Sequence, residues 1–143
     1  LIEDALIVSS AECKKRHIKV VKNLNILPET IIDPNSISQI FLNLILNSIE
    51  AINTHGTISI ATNTIDYNKV PMIEIQITDT GIGISKNNIT KIFNPFYTSK
   101  YKNTGLGLSI VLKIINEHQG KLDVDSELNK FTKFTILLPI KTN

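Results

Sequence analysis

The chain has 143 residues, 42% of them hydrophobic and 20% charged, with a formal net charge of +2. That is the length of one domain with a core of its own, and the composition excludes a disordered chain or a collagen-like repeat. The small positive charge gives no reason to expect nucleic acid or an anionic membrane as partner. No apolar run reaches the roughly 18 residues of a membrane span, and Leu1-Ile2-Glu3-Asp4 lacks the features of a signal peptide. The single cysteine, Cys13, has no partner for an internal disulfide, in keeping with a reducing, cytoplasmic setting. A first residue other than methionine is expected of a piece of a longer protein.

Residues 2 to 17 carry apolar positions at loose helical spacing and end in Lys14-Lys15-Arg16-His17, a cluster that suits a solvated helix C-terminus. Ile18 to Lys22 is β-rich and predicts a strand, followed by a turn through Pro28 and a short strand at Thr30-Ile31-Ile32. Asp33-Pro34 is a helix start, with Asp as N-cap and Pro in the first helical position. That helix is expected to run to about Ile52 and stop before Asn53-Thr54-His55-Gly56.

Two strands follow, Thr57 to Ile65 and Met72 to Thr78, and a glycine pair closes the second in Asp79-Thr80-Gly81-Ile82-Gly83-Ile84. A short helical stretch is expected at Asn88 to Phe93, then an irregular segment to Thr104. Gly105-Leu106-Gly107-Leu108 opens another helix reaching His118, with Gly120 in the place of a C-terminal cap glycine. Leu122 to Val124 and Phe131 to Pro139 predict a final hairpin. No repeat or linker interrupts the chain. The mixture predicts an α/β two-layer sandwich, with a mixed, largely antiparallel sheet and helices packed on one face.

Three features stand out chemically. The middle helix carries a polar stripe, Ser36, Gln39, Asn43, Asn47, Glu50 and Thr54, on an otherwise apolar cylinder. Its centre is two asparagines, poor helix formers, whose amide oxygens one turn apart could face a hard cation that keeps most of its waters. Asp79 is an acceptor at a strand end, followed by glycines that permit a tight turn and a close approach to a ligand. Thr104-Gly105-Leu106-Gly107-Leu108 opens a helix, where backbone N–H groups and the dipole favour an anion. Neither glycine pair completes a dinucleotide fingerprint, since Lys86 and Ile110 hold the third-glycine positions, and no P-loop is present.

In order, these segments resemble the ATP-binding catalytic domain of sensor histidine kinases, of the nitrogen-regulation type, within the wider ATPase superfamily of type II topoisomerases and large chaperones. The N box matches Gln39 to Ala51, the G1 box Asp79 to Ile84, the F box Ile92 to Thr98 and the G2 box Thr104 to Leu108. The resemblance implies a Bergerat fold over residues 18–143, with residues 1–17 an approach helix from a missing dimerisation and phospho-acceptor region. It implies ATP as ligand, ADP as product, and Mg²⁺ held by Asn47 with Asn43 supporting the phosphates. Asp79 would read the adenine amino group, helped through water by Thr132. Gly81 and Gly83 would line the base, Gly83 letting the backbone approach adenine. Thr104, Gly105, Leu106, Gly107 and Leu108 would offer donors to the phosphates, Lys100 would touch them, and Phe93 and Phe96 would anchor the lid.

Three departures bear on this. Phe131 stands where a glycine is expected before Thr132, Glu50 is acidic where the wider family is often basic, and the 94–104 lid is short. The last two are similar to the nitrogen-regulation type. Asn43 distinguishes transfer from hydrolysis, because related hydrolases carry a glutamate general base there and an amide accepts no proton from water. His17, His55 and His118 all lack the context of a phospho-acceptor. The implied activity is therefore transfer of the ATP γ-phosphoryl group to a histidine on a separate dimerisation domain, upstream of a response regulator receiver domain. A related ATPase, a serine/threonine kinase of the anti-sigma type and a non-catalytic nucleotide-binding module are the alternatives. Neither nucleic acid nor membrane is an expected partner of this segment, and the sequence leaves open whether the parent is membrane-anchored.

Overall fold

The computed structural model describes residues 1–97 and 107–143. The elements in chain order are α1 (Ile2–Lys15), β1 (Ile18–Leu24), α2 (Pro34–Ala51), β2 (Gly56–Tyr67), β3 (Val70–Asp79), α3 (Gly107–Glu117), β4 (Lys121–Glu127) and β5 (Phe131–Pro139). The strands form one sheet in the order β1-β2-β3-β5-β4. β1 runs parallel to β2 and the other three pairings are antiparallel. The expected α/β sandwich with a mixed, largely antiparallel sheet is what forms.

Alternation along β2, β3 and β5 turns Ile58, Ile60, Ile75, Ile77, Phe134 and Ile136 toward the helices, where they join Leu44 and Ile45 of α2 and Val111 and Ile115 of α3 in one core. The opposite face is largely polar. Buried Met72 and Leu137 lie outside the main core there, and the Lys121 ammonium sits 5.4 Å from the centre of the Tyr67 ring.

Local chemistry explains the ends of the elements. Asp33 caps α2 by accepting from the Asn35 N–H at 3.2 Å, with Pro34 in the first turn. The Ser36 hydroxyl donates to the same carboxylate and holds its pKa below the ordinary value. β2 and β3 turn back through Asn68 and Lys69, both at positive φ as a two-residue hairpin requires. His118 accepts the Asp33 N–H on Nε2, so its proton sits on Nδ1 and is donated to the Ile114 carbonyl at 2.8 Å. This histidine is a structural link between α3 and the start of α2.

Three expectations are corrected. Residues 30–32 do not form a strand: Ile31 donates to the Lys141 carbonyl and Thr30 bonds to Pro139 and Lys141. The partner is a short terminal tail, and prolines at 28 and 34 leave too little chain for a ladder. Residues 88–93 are a succession of turns rather than a helix, with N–H groups bonding back three residues at Asn88, Lys91, Asn94 and Tyr97. The asparagines and β-branched residues there favour such turns over continuous helix. At the end of α3 the left-handed residue is Gln119, at φ 58°, and not Gly120. The Gly120 N–H reaches the Ile115 carbonyl and the Gln119 N–H the Asn116 carbonyl, the paired bonds of a Schellman ending. Gly120 is required by packing, since a Cβ there would lie 2.5 Å from the Leu137 carbonyl oxygen.

α1 packs on α2 and buries Ala5, Ser9 and Cys13. Its basic end is more than a solvated terminus. Arg16 donates from its guanidinium to the carbonyls of Ile49 and Ile52 at 3.2 and 3.3 Å, and to Glu12 at 2.7 Å. Its own carbonyl accepts from the N–H of His55 and the hydroxyl of Thr54. A cation thus caps the negative end of α2 while the backbone holds the chain leaving it. Arg16→Ala is expected to lower unfolding free energy by about 1.5 kcal/mol, the low end for bonds to a charged donor because the site is partly exposed, read from urea unfolding.

Candidate nucleotide site

Of the polar stripe of α2, Asn43 lies where that helix meets the start of α3, whereas Ser36 serves the Asp33 cap and Thr54 falls beyond the helix end, on the Arg16 carbonyl. Asn43 and Asn47 are both half-buried, and the Asn43 Nδ2 makes a long contact of 3.5 Å with the Gly107 carbonyl. Gly107 and Leu108 are the first described residues of α3. Leu108 packs its side chain on the core. Lys100, Thr104, Gly105 and Leu106 lie outside the described residues, as does most of the 94–104 segment. Phe93 packs against the core, whereas Phe96 is 73% exposed with a left-handed φ of 66°.

Asp79 ends β3 and is buried. Its cross-strand partner on β5 is Thr132, also buried, so the two side chains share the helix-facing side of the sheet. Phe131 in place of the expected glycine does not displace that threonine. The Asp79 Oδ1 accepts from the Gly81 N–H at 2.9 Å, which shapes the turn that follows.

That turn is held from three sides. The Thr80 backbone N–H and side-chain oxygen bracket Thr57 on β2. The Ile82 N–H donates to the Ala51 carbonyl at the end of α2, at 2.9 Å, and the Ile82 carbonyl accepts from Asn129 in the β4–β5 turn. Both glycines have a packing reason. A Cβ on Gly81 would lie 2.5 Å from the Ala51 carbonyl oxygen, and one on Gly83 would collide with that of Glu127. Gly83 also has φ +70°, a conformation that side chains resist.

Spacing reasoning missed Ser126, whose hydroxyl lies between the first glycine turn and Thr132. It contacts the Ile84 N–H at 2.8 Å, the Phe131 carbonyl at 2.7 Å and the Thr132 hydroxyl at 2.8 Å. No motif marks it, because it sits on a strand of ordinary polar alternation.

Residues 32–142 match the family of histidine kinase-, DNA gyrase B- and HSP90-like ATPases. The chain belongs to this family. Among its relatives are the sensor histidine kinase ZraS of Escherichia coli, 37% identical over 141 residues, 98% of this chain and 30% of that protein. Sporulation kinase E of Bacillus subtilis is 33% identical over 144 residues, 100% of this chain and 19% of that protein. The chain therefore spans less than a third of these relatives. Among solved structures, the nucleotide-free catalytic domain of histidine kinase ThkA aligns over 99% of this chain and 92% of its own, with TM-score 0.85 and 29% identity. The fold and family are those of the ATP-binding catalytic domain of sensor histidine kinases.

The donor set can be tested against the ligands this family implies. Among the described residues no three of His, Cys, Asp and Glu gather as a metal cage. The asparagines offer neutral amide oxygens only, which suits a hard cation arriving with a polyphosphate and keeping several waters. The buried Asp79 and Thr132 at the other end suit a base with an exocyclic donor.

The glycines give a stability test. Gly83→Ala is expected to cost about 3 kcal/mol or more, since the new methyl meets a carbonyl in a turn that cannot retreat. Among the described residues a Cβ on Gly107 meets Asn43 alone, at 3.8 Å, and Gly107→Ala is expected to change stability by less than about 1 kcal/mol. Thermal unfolding of the two variants makes the comparison.

Proposed function

We propose that this chain binds Mg·ATP between α2, the Asp79–Ile84 turn and the start of α3, and transfers the γ-phosphoryl group to a histidine on a separate dimerisation domain. The observation that supports this reading is that Asn43, one turn before Asn47 on α2, approaches Gly107 at the start of α3, while buried Asp79 stands across from buried Thr132. Asn47 is assigned to the metal and Asn43 to the phosphates, with Gly107 and Leu108 donating from their backbone. Thr104, Gly105, Leu106 and Lys100 are assigned to the phosphate end from the motif alone. Asp79 takes the adenine amine, Thr132 supports it through water, and Gly81 and Gly83 keep the turn close to the base. When bound, Mg²⁺ supplies charge neutralisation on the phosphates, and the protein's share is positioning.

Phosphoryl transfer to a supplied nucleophile suits this site better than hydrolysis. Asn43 occupies the position one turn before the metal residue and cannot act as a base toward water. His17 and His55 stack on each other with ring centres 4.8 Å apart, and His118 is committed to Asp33 and Ile114, so each has a local structural role. The acceptor is assigned to a dimerisation domain of the same kinase, with α1 as the approach from it, and a response regulator receiver domain then takes the phosphoryl group. We assign the parent's catalytic region to the cytoplasm, where ATP is available.

Mixing the chain with Mg²⁺, labelled ATP and a separate histidine-bearing dimerisation domain tests the reading. Acid-labile, base-stable label on that domain is expected, and rapid phosphate release without label transfer would overturn it in favour of an ATPase. Asp79→Asn, which puts a donor where an acceptor stood, is expected to weaken ATP binding roughly tenfold or more in calorimetry. Asn47→Ala is expected to abolish the magnesium dependence of binding.

A further inference from the structure

We propose that Ser126 determines base selectivity, by fixing the proton of the Thr132 hydroxyl so that Thr132, across from the Asp79 carboxylate, presents acceptors and no donor. The inference rests on the ATP reading above and concerns how adenine is told from a 6-oxo purine. A serine hydroxyl has one proton and two acceptor lone pairs, and Ser126 has three polar neighbours within 2.8 Å. The Phe131 carbonyl can only accept, so it takes the Ser126 proton. The Ile84 N–H can only donate, so it fills one lone pair. The second lone pair is left for Thr132, whose hydroxyl must then donate to Ser126. Every bonding capacity of Ser126 is used, and the direction of the chain follows without choice.

The consequence falls on the site. With its proton committed, Thr132 shows only lone pairs to anything else it meets. Thr132 stands directly across from Asp79 on the neighbouring strand, both buried and on the helix-facing side. The Asp79 carboxylate is an acceptor as well, already drawing in the Gly81 N–H. Where the sixth position of the base meets these two acceptors, an amine is favoured and a carbonyl opposed, because two facing acceptors leave both unsatisfied. Without Ser126 the Thr132 hydroxyl could rotate and donate, and the pair would become mixed. Ser126 acts through Thr132 and is a positioning residue. Its bond to Ile84 also ties the β4–β5 hairpin to the glycine turn, so both walls of the base end share one hydroxyl.

The test compares affinities for ATP and inosine triphosphate, measured by calorimetry on the whole chain. The native protein is expected to prefer ATP by about tenfold or more, and Ser126→Ala to narrow that ratio about fivefold through weaker ATP and relatively stronger inosine triphosphate binding. Ser126→Thr keeps the hydroxyl and is expected to keep the ratio. A ratio unchanged in Ser126→Ala, with ATP still bound, overturns the inference while leaving the ATP reading intact. Failure of the native chain to bind either nucleotide overturns both. If Ser126→Ala does not fold, Thr132→Val removes the acceptor from the other side, and a native ratio in that variant overturns the proposal equally.

Discussion

The site depends on one contact, the seating of the Gly81-Ile82 backbone on the last turn of α2. The Ala51 carbonyl has no further helical N–H to bond and takes that of Ile82, while Gly81 lies so close that no Cβ fits. This sets the distance between the helix bearing Asn43 and Asn47 and the strand ending in Asp79. On the other side of the same helix end, Arg16 occupies the Ile49 and Ile52 carbonyls. The exposed polar groups that terminate a helix are thus used to hold two walls of the site in register. A helix end needs partners in any fold, and here the partners are the Gly81-Ile82 turn and α1.

The rest of the molecule keeps polarity local. The middle of the sandwich is filled by branched aliphatic side chains such as Leu44, Ile45, Ile58, Ile60, Ile115 and Ile136, a setting in which polar groups are costly, and the fully buried Ser48 hydroxyl of α2 finds no partner among the described residues. At the end of β3 and the start of β5 that rule is relaxed, and Asp79 and Thr132 are buried with bonds to Gly81 and Ser126. Buried polar groups kept in fixed directions can discriminate between ligands more sharply than apolar walls can. The half-buried amides of α2 suit the opposite need proposed for them, a cation and phosphates that bring their own charge and water. On the proposed reading, one sheet end and one helix face serve the two chemically different halves of a nucleotide.

Much of this was legible in the chain itself. Asp33-Pro34 predicts the start of α2 because N-capping and proline geometry are local. The alternation of Ile58, Ile60, Ile75 and Ile77 predicts the helix-facing side of β2 and β3 because the strand period is local too. The failures were at places where sequence spacing competes with space. Thr30-Ile31-Ile32 has strand composition, but only a terminal tail lies beside it. Residues 88–93 have helical spacing, yet their bonds close every three residues. Gly120 looks like a conformational cap, whereas Gln119 adopts the left-handed angle and Gly120 yields to the Leu137 carbonyl.

The sequence by itself determined the helices and strands that form, though not the segments 30–32 and 88–93, together with the polar residues of α2 and the glycine turn after Asp79, all of which follow from residue chemistry at short spacing. It also carried the choice of asparagine over glutamate at position 43, from which transfer rather than hydrolysis is argued. Only the tertiary structure decided what those features touch. It placed Thr132 across from Asp79, brought Gly107 to Asn43, and set Gly81 against Ala51 and Gly83 against Glu127. Arg16 and Ser126 became informative only there, because their hydrogen-bond partners lie on elements that no local spacing relates. A hydroxyl's direction depends on which neighbours can donate and which can only accept, and those neighbours are assembled by the packing of the sheet.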